Sequence, residues 1–362
     1  MIIENLTITE NITEIWTAFL NMTINTVTDK TKPGVSRNDD YRLRIIFLYV
    51  QPIVGILGMV ANMLTFAMLI KSGLKKPSNI IIFGLTLADC FLLITPINIF
   101  DLTARFLHSK ETANYFGWEC SEKLAIFLSV VNRVLTTLHY WGGFAGTGLP
   151  VVITLERIFA VFFPMKFATI VTSRRAILAV VSVWLFWGPW ACFSAFLRDF
   201  RYTVLPSGQS IGYEKSAELL ISNFLVVQTL NRYVFNFLSS IVPVSIVTFG
   251  CVMIGFKVKH SLLQRQRMFS AKKTKRPSLK TTRTLVAIAL IFATVHGTYF
   301  TMTCAMVDQF INDTTFSLVL DAIKLTLIYV CGSCNFFVYV LLNSKFRNIL
   351  IGMFQKTHSE LA

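Results

Sequence analysis

The residues best suited to chemistry are a few polar ones that lie inside long apolar runs. Asp89 is the one acidic residue in its run, and Glu156 and Arg157 stand together at the end of another. A buried carboxylate must be neutralised, hydrogen-bonded or paired with an ion, whereas an arginine beside an acid forms a charge-assisted pair. Asn62 and Asn335 are amides in two further runs, and polar residues inside a bilayer are costly, so those present usually have a function.

Seven apolar runs carry these residues. A spanning helix needs about 20 apolar residues, because the hydrocarbon core of a bilayer is about 30 Å thick. The runs cover residues 45–70, 79–100, 134–155, 176–197, 234–256, 284–307 and 325–342. Only 15% of the residues are charged, which disfavours a soluble protein with buried helices. The sequence therefore predicts an all-α membrane protein, a seven-transmembrane helix bundle.

The charges and glycosylation signals predict the orientation of the bundle. The odd-numbered connections between runs are strongly basic, and loops rich in Lys and Arg tend to stay in the cytoplasm. Cations just before the first run favour the reverse orientation. The N-glycosylation signals decide against it, since sugar is added on the lumenal face. Their acceptors are Asn5, Asn11, Asn21 and Asn312. We therefore expect an extracellular N-terminus.

The net charge of +15 would also suit a nucleic-acid-binding protein. The most basic stretch, 257–283, lies between two spanning runs, however, so membrane lipids and a cytosolic protein are the expected partners and no nucleic acid is expected. The glycines in 141–150 lack the spacing of a dinucleotide site, and Gly142 and Gly146 instead indicate close helix packing. We find no metal cluster and no nucleophile–base pair in the sequence, and we predict neither a bound metal nor an enzyme.

Six motifs occur in order, each on its own run. They are Gly-Met-Val-Ala-Asn62, Leu-Thr-Leu-Ala-Asp89, Glu156-Arg157, Trp184, Pro243 and Asn335-Phe-Phe-Val-Tyr339. Together they resemble the rhodopsin-like (class A) G-protein-coupled receptors over residues 49–354. The resemblance implies a multi-pass plasma-membrane receptor that binds an extracellular ligand and activates a heterotrimeric G protein.

The resemblance also assigns roles at the inner end of the third run. Arg157 is expected to pair with Glu156 at rest and to meet the G protein after activation. Pro164 is expected to end the helix, and Tyr339 to swing inward.

The resemblance places a sodium ion at Asp89. In this chain Gly146, Cys331 and Gly332 replace the polar neighbours of that ion, while Asn335 remains. We therefore expect a water-filled polar network of Asp89, Asn62 and Asn335 rather than a bound sodium ion, and we predict no other cofactor.

Three departures from the family pattern concern the mechanism. Phe336 replaces a proline in the seventh run, His296 replaces an aromatic residue in the sixth, and Cys251 replaces a tyrosine in the fifth. A decoy receptor that binds a ligand without coupling therefore remains an alternative. A seven-helix transporter or channel is another, although it would be expected to show duplicated halves or a polar pore.

The resemblance predicts a ligand site between the third, fifth, sixth and seventh runs at their outer ends. A carboxylate for an amine ligand is missing from the third run there, so we expect a peptide or a small polar chemosensory ligand. The candidate pocket residues are His139, Tyr140, Arg232, Asn236, His296, Tyr299 and Asp321, with Lys324 nearby.

Cys120 resembles the half-cystine that the family has at the top of the third helix. The second outer loop has no cysteine, so Cys192 and Cys304 are the candidate partners, and a free Cys120 is the alternative. Cys120 stands 37 residues before Arg157, too far for one uninterrupted membrane helix. We therefore expect about 12 extra residues to be accommodated on the outer side of the membrane.

The sequence predicts three regions: a glycosylated extracellular tail (1–44), the bundle (45–343), and a short cytoplasmic segment (344–362). Apolar residues at helical spacing in the last region predict an amphipathic helix along the inner membrane surface.

Overall fold

The computed structural model describes residues 46–95, 117–119, 122–196, 198–204, 210–216, 223–235, 237–268, 277–309 and 314–361. Within them, seven long helices lie where the seven runs were predicted. They are α1 (Gln51–Ser72), α2 (Pro77–Leu92), α3 (Glu122–Phe162), α4 (Ser173–Phe196), α5 (Val242–Met268), α6 (Pro277–Gln309) and α7 (Thr314–Leu342). Helix α8 (Ser344–Leu361) follows α7. The prediction of an all-α bundle with a short terminal helix is confirmed.

The outer surface of the bundle is apolar. In the described part of the chain, α1, α3, α4, α5 and α7 are long and apolar enough to cross a membrane, and α2 and α6 contain shorter apolar segments. Leu178 on α4 is 65% exposed and Phe249 on α5 is 67% exposed. A water-exposed surface of this kind would be unfavourable, whereas lipid is an apolar solvent for it.

Helix α3 lies at the centre of the bundle and contacts α2, α4, α5 and α6, while α7 contacts α1, α2 and α6. The main buried cluster joins residues from seven of the eight labelled helices, all except α5. It comprises Met68, Leu69, Ile81, Ile82, Leu85, Ala88, Ala145, Leu149, Ile153, Ala176, Ile288, Tyr339 and Phe346. Phe346 comes from α8, so the apolar face of that helix packs against the bundle.

Gly142 on α3 allows the backbone of α2 to approach closely. A Cβ atom at this position would lie 2.5 Å from the carbonyl oxygen of Ala88 and 2.7 Å from the backbone nitrogen of Leu92. The predicted close packing at Gly142 is therefore confirmed. At Gly146 a Cβ would lie 3.9 Å from the Ala88 side chain, so packing there does not require glycine.

The expectation that the third helix is interrupted was wrong. Helix α3 runs for 41 residues and starts two residues after Cys120. At about 1.5 Å per residue it is longer than a bilayer is thick, so the additional residues extend the helix beyond the membrane. Pro150 lies inside the helix without ending it.

Three strands at one end of the bundle were not predicted. β2 (Arg198–Val204) and β3 (Ser210–Ser216) form an antiparallel hairpin, and β1 (Gly117–Glu119) pairs with the other side of β3. The register pairs Arg198 with Ser216 and Trp118 with Gly212. We call this end of the bundle the strand end, and the opposite end the Arg157 end.

Short irregular segments precede two of the long helices. A π-helical segment, Ile46–Val50, leads into α1. Before α5, a short helix, Phe224–Thr229, is followed by the π-helical segments Leu230–Phe235 and Phe237–Ile241.

Candidate functional site

Arg157 and Glu156 form a closed ion pair near the end of α3. Both residues are buried, with exposed fractions of 7% and 4%. Nε of Arg157 donates to Oε2 of Glu156 at 2.8 Å, and Nη2 donates to Oε1 at 2.7 Å. This two-pronged contact is the strong form of an arginine–carboxylate pair. It holds the guanidinium against its own helix.

Ser78 is a third member of this site, and it was not identified from the sequence. Its hydroxyl donates to Oε1 of Glu156 at 2.7 Å and accepts a bond of 2.7 Å from Nη2 of Arg157. Pro77, with Lys76 extended before it, starts α2 and so places Ser78 in the first helical turn. A hydroxyl residue directly after this proline was the available sequence signal. We call Ser78, Glu156 and Arg157 the Arg157 clasp.

The chain beside the Arg157 clasp turns sharply and exposes apolar side chains. Helix α3 ends at Phe162, and Pro164 occupies the turn that follows, in which the nitrogen of Lys166 donates to the carbonyl of Phe163 at 3.1 Å. Phe163 is 51% exposed and Met165 is 94% exposed. The Arg157 end therefore offers a charged pair beside accessible apolar groups.

The three residues of the predicted polar network make two separate hydrogen bonds. Nδ2 of Asn335 on α7 donates to Oδ2 of Asp89 on α2 at 2.7 Å. Asn62 on α1 instead donates from Nδ2 to the carbonyl of Gly332 at 3.1 Å. A Cβ at Gly332 would lie 3.2 Å from Oδ1 of Asp89, so the two contacts are neighbours along α7. The network thus fastens α1 and α2 to the same part of α7.

Tyr339 is buried one helical turn beyond Asn335. Its ring stacks on Phe346 of α8 with a centroid distance of 5.6 Å. Its hydroxyl, like Oδ1 of Asn62, is buried without a hydrogen-bond partner among the described residues. Such groups are rare in folded proteins and call for an explanation in terms of function or bound water.

Asp89 and His296 line the same small cavity in the middle of the bundle, which has a volume of about 30 Å³. Among the residues that line it, Asp89 and Asn335 supply the side-chain oxygen atoms, whereas α3 contributes Gly143, Gly146 and Pro150. Hard cations prefer a shell of several oxygen ligands. The donor set does not fit a sodium ion well, because a single carboxylate and a single amide leave most of the shell unfilled.

The predicted ligand-pocket residues are only partly brought together. Nδ1 of His139 lies 2.7 Å from the carbonyl of Leu92, and its ring contacts Tyr140 and Tyr329. A carbonyl only accepts, so Nδ1 carries the hydrogen and His139 serves the packing of α3 against α2. His296 lies deeper, with its ring 4.2 Å from that of Phe292.

Nearer the strand end, Tyr299 of α6 and Lys324 of α7 meet. Nζ of Lys324 lies 5.3 Å from the centre of the Tyr299 ring, and Lys324 is only 6% exposed. A lysine over a ring face is a cation–π contact. Asn236 and the side chains of Arg232 and Asp321 lie outside the described part of the structure.

The disulfide prediction is corrected in one respect. Cys192 is a free, exposed thiol on α4, so it is not the partner of Cys120 in this structure. Cys120 and the side chain of Cys304 lie outside the described residues, and that alternative stays a prediction. The glycosylation acceptors Asn5, Asn11, Asn21 and Asn312 lie outside them as well.

Comparison with known proteins adds an independent finding. Residues 61–339 match the family described as 7 transmembrane receptor (rhodopsin family). The chain is 22% identical to neuromedin-U receptor 2 of Mus musculus over 86% of this chain and 75% of that protein. It is 23% identical to the Rattus norvegicus receptor of the same name over the same shares. It is also 22% identical to the FMRFamide receptor of Drosophila melanogaster, over 84% of this chain and 53% of that protein.

Proposed function

Since the chain belongs to the rhodopsin family of 7 transmembrane receptors, we propose that it is a plasma-membrane receptor for an extracellular peptide that activates a heterotrimeric G protein through Arg157. The observation that carries this proposal is the Arg157 clasp. An arginine that is buried and held by a carboxylate and a hydroxyl from two helices is a latent contact site. It becomes available to a partner only when those helices separate.

In the resting state the Arg157 clasp links α2 to α3 at the Arg157 end. A ligand that binds the open bundle more tightly than the closed one shifts the population toward the open state. The difference between its two affinities sets the largest possible shift. When the bundle opens, the guanidinium leaves Glu156 and Ser78 and meets the G protein. Phe163 and Met165, which are exposed beside it, supply apolar contacts to the same partner.

Tyr339 is a second moving part in this proposal. Its hydroxyl has no hydrogen-bond partner in the described closed bundle, so leaving its position costs no protein hydrogen bond. In the open bundle the hydroxyl gains a partner on a neighbouring helix, which favours that state. The stacked contact with Phe346 is the interaction that must be broken.

The centre of the bundle works, in this proposal, without a bound sodium ion. Asp89 is stabilised by the amide of Asn335 and by water in the cavity that it shares with His296. The amide contact links α2 with α7, and the cavity is bounded by α6 as well. A ligand-driven movement of α6 therefore changes the surroundings of Asp89 directly.

A peptide is the proposed ligand because relatives of this chain are named for neuromedin-U and FMRFamide. The strand end carries the hairpin of β2 and β3, which contacts the long α3 and is one place where a peptide could bind. Lys324 and Tyr299 lie on α7 and α6 towards this end and offer a cation and a ring to a ligand. A small polar chemosensory ligand is the other candidate to be screened.

The proposed orientation puts the Arg157 end in the cytosol and the strand end outside the cell. The basic connections and the four glycosylation signals support it. An N-terminal epitope tag should be accessible on intact cells, and a C-terminal tag only after permeabilisation. Both tags in the same compartment would contradict the seven-span topology.

The proposed function is tested by nucleotide exchange on G proteins in membranes from expressing cells, screened with peptide and metabolite libraries. The expected result is that at least one extracellular peptide accelerates exchange. A ligand that drives ion current or uptake without any G protein would indicate a transporter or channel. A ligand that binds and never accelerates exchange would indicate a decoy receptor.

A further inference from the structure

Two nitrogen donors towards the strand end are buried without a hydrogen-bond partner among the described residues. They are Nε of Arg133 on α3 and Nε1 of Trp190 on α4. A buried donor without a partner is costly, and a charged residue inside a membrane usually has a function. Neither residue belongs to the ligand pocket that the sequence predicts.

Arg133 lies where α3 passes the strands. Helix α3 starts and α4 ends at the strand end, so the two helices run antiparallel. A Cβ at Gly188 of α4 would lie 3.5 Å from the ring of Trp141 on α3. Arg133 stands eight residues before Trp141, and Phe196 stands eight residues after Gly188. Arg133 is therefore level with the end of α4, where the chain enters β2, and α3 contacts both β2 and β3.

The face of α3 that carries Arg133 packs against α4. Tyr140 and Phe144 stand seven and eleven residues after Arg133, a spacing that puts all three on one helix face. The Tyr140 ring stacks on that of Phe144 at 6.4 Å, and the Phe144 ring stacks on that of Trp187 in α4 at 5.1 Å. Neither α4 nor segment 123–155 of α3 contains Asp or Glu. These helices therefore supply no carboxylate for Arg133.

Trp190 lies deeper in the bundle, close to the level of Tyr140. Its ring stacks on Phe235, which precedes α5, and lies 5.0 Å from that of Phe193. Its indole donor is thus placed among aromatic rings. Tyr140 is two helical turns below Arg133, a distance of about 10 Å. Three residues of an extended chain span about that distance.

We propose that Arg133 binds a carboxylate of the extracellular peptide, and that Trp190 binds a backbone carbonyl of the same peptide about three residues deeper, beside an apolar or aromatic side chain. A guanidinium can hold a carboxylate through two parallel hydrogen bonds, and Nε is one of its donors. An indole N–H only donates, so its missing partner is an acceptor. The inference rests on the proposed function for the ligand being a peptide. The carboxylate belongs either to an Asp or Glu side chain or to the C-terminus of the peptide.

The hairpin acids Asp199 and Glu214 are the alternative partners of Arg133, and their side chains lie outside the described part of the structure. Thermal unfolding of the purified chain without ligand separates the two cases. If Arg133 waits for a ligand, Arg133→Gln removes an unpaired buried charge, and the unfolding midpoint should stay equal or rise. A clearly lower midpoint would overturn the proposal, because Arg133 would then be paired within the protein.

The binding test is affinity selection with the purified full chain, in which retained peptides are identified by mass spectrometry. A random hexapeptide library is made twice, with a free C-terminal carboxylate and with a C-terminal amide. Peptides that the wild type retains should carry a carboxylate, and its replacement by an amide should weaken their binding by about 10- to 100-fold. Loss in the amidated library identifies the C-terminus as the source. Loss after Asp→Asn or Glu→Gln in the peptide identifies a side chain.

Variants of the receptor locate the effect. Arg133→Gln should weaken the retained peptides by the same factor, and the peptide amide should cost nothing further in this variant, since both changes remove one contact. Arg133→Lys should keep the preference for carboxylates, because it keeps the charge. Trp190→Phe keeps a ring without the donor and should lose about 2- to 10-fold. The matched control is Lys123→Gln, which removes an exposed cation from the start of the same helix and should change nothing.

Equal losses in Arg133→Gln and Lys123→Gln would overturn the proposal, since they would show general attraction to charge. So would retained peptides without a carboxylate, or a wild type that retains no peptide. Selection needs no G protein, so the two proposals fail separately. Peptides that bind through Arg133 and never accelerate nucleotide exchange would contradict the proposed coupling alone. Peptides that accelerate exchange without a carboxylate would contradict this inference alone.

Discussion

The hydroxyl of Ser78 on α2 accepts a hydrogen bond of 2.7 Å from Nη2 of Arg157 on α3. The same hydroxyl donates to Glu156, so one serine is bonded to both members of a buried ion pair. Hydrogen bonds to charged groups contribute about 1.5–3 kcal/mol each, more than neutral ones do. Ser78 therefore contributes to the stability of the closed bundle through two hydrogen bonds to charged groups.

Ser78→Ala should raise basal nucleotide exchange. The substitution removes the contact between α2 and the ion pair and leaves the pair itself intact. A loss of about 1.5 kcal/mol shifts the ratio of closed to open bundles by about ten-fold, so basal exchange should rise by up to that factor. Exchange is measured in membranes with equal amounts of receptor and no ligand.

Thr169→Ala is the matched control, because this exposed hydroxyl lies at the same end and, among the described residues, bonds only to the carbonyl of Lys166 in its own turn. It should leave basal exchange unchanged. If Ser78→Ala behaves like this control at equal expression, the hydroxyl does not hold the bundle closed.

Gly142→Ala and Gly143→Ala should differ sharply in stability although the residues are adjacent. A Cβ at Gly142 meets backbone atoms of α2 at 2.5 Å and 2.7 Å, and α2 would have to shift. We expect a loss of about 1–3 kcal/mol and low surface expression. At Gly143 a Cβ would lie 3.6 Å from a side-chain atom of Leu92, an ordinary contact, and alanine favours the helix.

The two variants are compared by surface expression and by the midpoint of thermal unfolding. Equal midpoints would mean that α2 and α3 are not packed as closely at Gly142 as the structure indicates.

Asn335→Ala should destabilise the bundle more than Asp89→Asn does. The first variant leaves a buried carboxylate without its amide donor, which costs about 1–3 kcal/mol. The second removes the charge and keeps a similar shape, so its unfolding midpoint should equal or exceed that of the wild type. Both are measured by thermal unfolding of purified protein.

The same experiment tests the proposal that no sodium ion binds at Asp89. Wild-type midpoints should be equal in sodium and potassium buffers of the same ionic strength. The proposal would be contradicted if sodium raised the unfolding midpoint of the wild type and left that of Asp89→Asn unchanged.

Much of the fold could be predicted because bilayer thickness imposes a length on each apolar run, and polar residues inside such runs are conspicuous. Asp89, Asn335 and the Glu156–Arg157 pair could be identified for this reason. Ser78, the additional partner of the Glu156–Arg157 pair, could not be identified, because it is one of many serines and its significance depends on how α2 crosses α3. Asn62 was expected to join Asp89, yet it bonds to the backbone of Gly332, and backbone acceptors leave no sequence signal.

The length of α3 and the strands at its start were missed for a different reason. Residues 122–133 extend a membrane helix beyond the bilayer, where hydropathy no longer distinguishes helix from loop. The hairpin of β2 and β3 has aromatic and β-branched residues in Phe200, Tyr202 and Thr203, followed by Pro206 and Gly208. That pattern is typical of a hairpin, so these two strands could have been predicted from the sequence.

The most direct test of the central claim is basal and peptide-driven nucleotide exchange in membranes with wild type or Arg157→Ala at equal surface expression. Arg157→Ala should lower both rates to those of membranes without the receptor, while peptide binding at the strand end persists. Exchange by Arg157→Ala at the wild-type rate would contradict the account, because the residue held in the Arg157 clasp would then not be the one that contacts the G protein.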